Sequence, residues 1–525
     1  MKKVFITIPT TVALTFVLSG CTTSGDNAAM PAETGNAASG ESLVRTSVDQ
    51  PASFDPTQGT SLPDFILARN SFDTLVRRDD NNELAPGLAE DWDLDSTGGE
   101  LTLRAGATCS DGTPITAGVV KDSLEYFTDP ETASVYGPQV FGPAGNVTFT
   151  AVDDQTLQIE LAEPWPDMLN GLSLAVSGII CPAGLEDLEG LDAGQVEGAE
   201  SGPYIMSSAD HGVRYTYDLR DDYDWWPEYA EPIEDVRPES IEFNVIADKN
   251  STANQLIAGQ LDTGAVLPQS IERVENEGSV SVDVKPFSDF YVLFNERESS
   301  PFSDPEARRA VAQVLDRETF TDISSQGAGE VAKQMASSTT VCANYDASPV
   351  IDLDPEAAAD VLDGMKVRIV GAQIIGPNGS GNTYVQEQLR EAGADVTLDN
   401  LDVGGWISTV YGKPGDWDLT VFADLNFVGS LSNAVSQGIG PALQDGGSNV
   451  GATQSEEAEA AFGEYLNSQN KEEACAALNK ASDALVADAH MIPLTNDPRP
   501  MASREGFTVV TKGEAMDDEH QLIVQ

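Results

Sequence analysis

Basic residues are scarce in this chain. Of 525 residues, 28 are lysine or arginine against 86 aspartates and glutamates, leaving a formal charge of -58. A field of that sign repels nucleic acid and anionic lipid surfaces, so nucleic-acid binding is set aside. Histidine is scarcer still, at His211, His490 and His520, and none has the HExxH spacing of a zinc site. They read as surface or hydrogen-bonded side chains. No G-x-S-x-G elbow occurs, and no pair of carboxylates stands out from the rest as general acid and base, so catalysis has no positive support. No metal or cofactor set is legible. Beyond residue 21 no apolar run is long enough to span a bilayer, so any transport role needs a pore supplied by a partner.

The positive signals begin at the N-terminus. Lys2 and Lys3 precede a largely apolar run over 4–18 that is too short for a permanent membrane helix and reads as a removable signal. It ends in Leu18-Ser19-Gly20-Cys21, which resembles the lipobox of bacterial lipoproteins. That resemblance implies cleavage before Cys21 and acylation of its thiol, and several acyl chains together hold a protein on a membrane. The alternative is an ordinary secretory signal with a chance cysteine. Residues 22–41 are small and polar, cannot bury enough surface to offset ordering, and read as a tether.

A length of 525 with 40% hydrophobic residues indicates a globular protein of two or three domains. The acidic excess fits a salty medium, where screening removes self-repulsion, and equally fits a solvated face without further meaning. Apart from Cys21 the cysteines are Cys109, Cys181, Cys342 and Cys475. No CxxC spacing is present, so disulfides and buried thiols both remain open.

Along the chain, "LVRTSV" reads as a strand and "LTLRAG" as another. "SDGTP" carries turn chemistry, and "ITAGVVKDSLEYF" forms a helix with Val119, Leu124 and Phe127 on one side. "VTFTAVDDQTLQIEL" is a hairpin pattern. "SDPEARRAVAQVL" and "LDPEAAADVL" each open on Asp-Pro-Glu, which suits a cap, a first-turn proline and an acid near the positive helix end. "KVRIVGA", "NTYVQEQLREAG", "ADVTLD" and "WDLTVFAD" then read strand, helix, strand, strand, which implies a partly parallel sheet.

The glycines of "GPNGSGN" at 376, 379 and 381 reverse the dinucleotide spacing and lack a following Lys-Ser/Thr, so the loop reads as a plain turn. Asp91, Asp93 and Asp95 alternate like a calcium loop, but Ser96 and Thr102 stand where the bend and the bidentate ligand belong, which leaves a hairpin turn. Aromatics gather at Tyr223, Trp225, Trp226 and Tyr229 and again at Trp406 and Trp417. They suit either interdomain packing or a ligand sandwich.

Several stretches together resemble the family 5 extracellular solute-binding proteins, the peptide and nickel class that serves ABC importers. In "LAPGLAEDWDLDSTGGELTLRAGATCSDGTPITAGVVKDSLEYF" the matching positions are Pro86, Leu88, Ala89, Trp92, Leu103, Arg104, Gly106, Ser110, Asp111, Gly112, Thr113, Pro114, Thr116 and Ala117. Gly118 stands where the family has aspartate, and Cys109 where it has an aromatic. "ESGPYIM", "RDDYDWWP", "NQLIAGQLDTGAV" and "YVLFNERESSPFSDPEARRAVAQVLDRE" follow in the family's order.

The resemblance implies an α/β, two-lobed periplasmic-binding-protein-like fold of type II, cluster C, with an extra inserted α+β domain. The implied division is 1–20 signal, 21–41 tether, 42–75, 202–288 and 495–525 domain I, 76–201 the domain II insertion, and 289–494 the ligand-closing domain III. It implies a lipid-anchored receptor outside the cytoplasm, not an enzyme, that delivers a small polar solute, foremost a short peptide, to permease subunits with cytoplasmic ATPases. The same fold takes nickel chelates, haem, opines and oligosaccharides, so the ligand stays open. A secreted hydrolase or an adhesive lipoprotein are the rivals from other classes. Cys109 and Cys181 both fall in the insertion, and Cys342 and Cys475 in or beside domain III, which implies those two pairings. Family position implies ligand contacts at Asp424, Trp406, Tyr291, Asn295 and Phe422, with Asp424 holding a ligand ammonium. Phe422 replaces the usual tryptophan, and Leu425-Asn426 replace the usual aspartate and proline. The alternative for Asp424 is a strand-end acid that caps a turn.

Overall fold

A computed structural model describes residues 42–524 except 80–81, 143–144, 234–235, 339, 345–348, 427–428, 446, 469 and 513–520. The signal, Cys21 and the tether lie outside the described residues, as does His520.

Among the described residues there are five sheets, two of them two-stranded and three larger. A four-stranded sheet combines Leu43–Val48, Ser240–Val245, Arg214–Leu219 and Tyr204–Asp210, the first pair parallel and the others antiparallel. A second four-stranded sheet is local and antiparallel: Ala89–Asp95, Gly98–Leu103, Thr156–Leu161 and Val147–Ala151. Its turns are short because Asp95 accepts from the backbone N–H of Thr97, and Asp153 from those of Gln155 and Thr156. The alternate aspartates at 91, 93 and 95 belong to this hairpin. The helix Ala117–Thr128 covers the sheet with Val120, Leu124 and Phe127 buried, while Val119 is only partly so.

The largest sheet has seven strands. Thr263–Ala265, Met491–Arg504, Val280–Phe294, Leu419–Asp424, Lys366–Ala372 and Asp395–Leu401 lie side by side, with Glu330–Val331 added on Met491–Arg504. Lys366–Ala372 pairs in parallel with both Asp395–Leu401 and Leu419–Asp424. The helix Ser380–Glu391 supplies the crossover, closed by Gly393 at φ 98, and the turn before it fits only because Gly379 has no side chain to strike Asn400. Both Asp-Pro-Glu helices form, Pro305–Val314 capped by Asp304 and Pro355–Leu362 capped by Asp354.

Two strands are unusually long, Val280–Phe294 and Met491–Arg504, and they pair with each other nearly end to end. The expected domain boundaries at 288/289 and 494/495 fall inside these two strands of one sheet. The register slips between Pro286 and Ser288 and again between Phe290 and Tyr291. Such irregularities bend a ladder locally without breaking it.

The cysteines are paired Cys109 to Cys181 and Cys342 to Cys475, across separations of 72 and 133 residues. The first bridge is buried in the hydrophobic cluster that runs from Phe65 to Trp225, and the second ties the segment at 342 to the helix Lys471–Ala487. Tyr223, Trp225, Trp226 and Tyr229 are packing residues: the Tyr223 hydroxyl and Trp225 Nε1 donate to Asp73 Oδ2 at 2.8 and 3.1 Å, and Asp73 Oδ1 pairs with Arg77 at 3.0 Å. Trp417 is likewise fully buried, with Nε1 donating to the Val410 carbonyl. His490 pairs with buried Glu296 at 2.8 Å, and His211 lies edge-on to Phe54.

Candidate functional site

Side chains alternate along Leu419–Asp424, so Thr420, Phe422 and Asp424 point to one face of the sheet. Antiparallel pairing sets Asp289 opposite Asp424 and Tyr291 opposite Phe422, on that same face. The rings of Tyr291 and Phe422 stack at 5.4 Å with 15° between their planes. Trp406, from the helix Val403–Val410, meets Phe422 edge-on at 5.4 Å and is fixed by Nε1 donating to Thr420 Oγ1 at 2.9 Å. Tyr411 stands edge-on to Trp406. Four of the expected residues, Asp424, Tyr291, Phe422 and Trp406, are therefore brought together.

Asn295 is not brought to them. It follows the opposite end of Val280–Phe294, six residues from Asp289, about 20 Å away at the rise of an extended strand. Its Nδ2 donates to the carbonyls of Pro414 and Trp417 at 2.6 and 2.8 Å, and its oxygen accepts from Arg297. That amide fastens a turn and has no capacity left for a ligand at Asp424.

Asp424 Oδ1 accepts from the Asn426 backbone N–H at 2.9 Å and from Asn433 Nδ2 at 2.7 Å, whereas Oδ2 receives only the Tyr291 hydroxyl at 3.4 Å. One oxygen is well satisfied and the other weakly held. Burial pushes Asp424 up to about 6, and its hydrogen bonds offset that only in part. The Tyr291 and Tyr411 hydroxyls are also pushed up, first by burial and then by the charge on Asp424.

Away from the site, Asp167 accepts hydrogen bonds from Ser432 and Tyr465, and Lys471 pairs with Glu83 at 2.6 Å. Beside these contacts lies a cavity of about 570 Å³ lined by Trp92, Leu94, Asp167, Tyr465, Lys471 and Leu478. Sequence reading missed Asp289, Tyr411 and Asn433, because strand pairing and helix packing bring them to Asp424 and Trp406 and none carries a motif of its own.

Among the described residues no group of histidines, cysteines and acids is arranged to hold a metal ion, and no helix is long and apolar enough to cross a membrane. A buried carboxylate beside stacked aromatic rings is the chemistry that could receive a nitrogen donor.

The sequence profile of the bacterial extracellular solute-binding proteins, family 5, matches residues 83–437. A substrate-binding protein from Microbacterium hydrocarbonoxydans, crystallised with 4-hydroxybenzoate hydrazide, is 45% identical. The similarity covers 92% of this chain and all of that one, with a TM-score of 0.80. The periplasmic murein peptide-binding protein MppA of Escherichia coli is 26% identical over 300 residues, 54% of each chain. The dipeptide-binding protein DppE of Bacillus subtilis is 24% identical over 391 residues, 70% of this chain and 66% of its own. The chain thus spans about half the length of MppA in that match.

Proposed function

The chain belongs to the bacterial extracellular solute-binding proteins of family 5, and on that premise we propose that it captures a small polar solute, foremost a short peptide, between its two lobes and passes it to the permease of an ABC importer. The observation that carries this reading is Asp424: a buried carboxylate with one weakly held oxygen, at the end of a strand, among stacked aromatic rings. An ammonium leaving water for such a site needs a charge-assisted partner to offset its desolvation, and a carboxylate with spare acceptor capacity supplies one. Tyr291, Phe422 and Trp406 form the wall against which the rest of the ligand lies. The paired strands Val280–Phe294 and Met491–Arg504 form the pivot, since their register slips allow bending while the ladder keeps the lobes joined. Closure over ligand then yields one bound state for a transporter to recognise. Acylation at Cys21 would hold the receptor beside its permease, with 22–41 as the tether.

A second reading, a small aromatic amide or hydrazide as the natural ligand, is favoured by the hydrazide captured by the 45% identical relative. The same rings suit it, and Asp424 then meets a neutral or weakly basic nitrogen.

Native mass spectrometry and calorimetry with a pool of di- to pentapeptides, and separately with 4-hydroxybenzoate hydrazide, test both readings. Asp424→Ala is expected to weaken peptide binding by about 2 to 5 kcal/mol, the usual cost of removing one partner of a buried charge pair. Unchanged affinity would remove Asp424 from the site, and failure of every peptide to bind would remove the peptide reading.

A further inference from the structure

Asn426 is 7% exposed, and neither its side-chain oxygen nor its side-chain nitrogen has a hydrogen-bond partner. Among the described residues it is the one buried amide with both ends unpaired. Burying an amide in this way is unfavourable unless a partner arrives, because both groups were hydrogen-bonded to water in the unfolded chain. The backbone adds to the cost: φ at Asn426 is 39°, a region that L residues avoid and asparagine tolerates better than most.

The surrounding backbone holds this residue firmly. Its N–H donates to Asp424 Oδ1 at 2.9 Å, and its carbonyl accepts from the Gly429 N–H at 2.8 Å. Gly429 lies so close under the Arg78 guanidinium that no side chain fits there, and the Gly429 carbonyl accepts from Val341 at 2.9 Å. An amide with unused donor and acceptor is thus held two residues from the carboxylate, tied to it through the backbone. Strain and unmet polar groups concentrated beside a binding group are a mark of recognition.

We infer that the Asn426 side chain reads an amide-type donor and acceptor pair on the ligand, a peptide carboxamide or an acyl hydrazide, whose amino group is held by Asp424. This rests on the reading of Asp424 given above and narrows its ligand class to molecules in which a nitrogen donor sits next to an amide. A primary amide makes two opposed hydrogen bonds with an N–H and a C=O that point the same way, as those of one extended peptide residue do, so one side chain satisfies both ends at once. A site built this way discriminates strongly against a ligand lacking the pair, since the buried groups then stay unpaired.

The test compares the full chain with Asn426→Gly by calorimetry against trialanine and against 4-hydroxybenzoate hydrazide, alongside the melting temperature of the unliganded proteins. Glycine adopts φ 39° freely, so this variant deletes the amide without adding strain. The expected result is binding of at least one probe by the wild type, at least tenfold weaker binding by Asn426→Gly, and an unliganded melting temperature that is unchanged or higher. If the wild type binds a probe and the variant binds it equally well, the assignment of Asn426 falls while Asp424 stands. A variant that loses melting temperature and keeps affinity shows the amide to be structural and overturns the inference. If the wild type binds neither probe, the ligand class itself falls, and this inference with it.

Discussion

The Tyr465 hydroxyl donates to Asp167 Oδ2 at 2.7 Å, joining residues 298 apart in sequence. Ser432 donates to the same oxygen, and Asp167 is 4% exposed. Burial and the Asp167 charge push the tyrosine hydroxyl well up, so it remains a donor at every ordinary pH. Hydrogen bonds to a buried charge contribute about 1.5 to 3 kcal/mol each. Tyr465→Phe is therefore expected to weaken ligand binding about tenfold or more through faster dissociation, and small-angle scattering should show a more open liganded state. An unchanged dissociation rate would mean that the contact does not hold the lobes closed.

Asp424 gives binding a pH dependence with a definite sign. Its folded value of about 6 lies above the ordinary 3.8. Between those values the folded unliganded protein takes up a proton that the unfolded chain does not hold. Its contribution to stability is fully present below 3.8 and is lost as pH rises through about 6. A cationic ligand reverses the preference, because it needs the carboxylate ionised. Peptide affinity should fall by up to about tenfold per pH unit below 6, and Asp424→Asn should abolish that slope. A flat profile in the wild type would show that no ionised Asp424 meets the ligand.

The Cys342–Cys475 bridge acts on the site at one remove. Val341, next to Cys342, donates to the Gly429 carbonyl at 2.9 Å and accepts from the Leu431 N–H at 3.1 Å, bracing the loop that follows Asp424. Replacing both cysteines with serine should cost about 2 to 5 kcal/mol of stability and also weaken ligand binding. Removing Cys109–Cys181, which is buried in a separate hydrophobic cluster, should lower stability by a similar amount with affinity unchanged. Denaturant titration with parallel calorimetry separates the two effects, and equal loss of affinity from both variants would contradict the bracing role.

A formal charge of -58 makes self-repulsion a large unfavourable contribution at low ionic strength. The melting temperature should climb as potassium chloride is raised from millimolar to molar levels. Screening of simple repulsion is nearly complete at 0.15 M, so a rise continuing beyond that point marks adaptation to a salty medium. A plateau reached by 0.15 M would leave the acidic surface as ordinary solvation.

What the sequence determined by itself was local. Asp304 and Asp354 cap the helices that their Asp-Pro-Glu signals announce, Asp153 closes its hairpin, and the buried strands within "KVRIVGA" and "WDLTVFAD" form where their apolar runs place them. Each signal acts within a few residues, through a hydrogen bond or a buried face that the chain specifies on the spot. The ordered motifs around Trp92 and Ser110 carried the family for the same reason. Which residues meet at the site was decided by pairing between strands far apart in sequence. Register alone sets Asp289 opposite Asp424 and Tyr291 on Phe422, and it carries Asn295 to the other end of the same strand. Tertiary packing also separated the aromatic residues, since Tyr223 and Trp225 serve the buried Asp73 while Trp406 packs on Phe422 beside Asp424. Composition cannot separate these outcomes, because a ring lining a cleft and a ring filling a core satisfy the same hydrophobic preference, and only the completed fold decides which surface remains for a ligand.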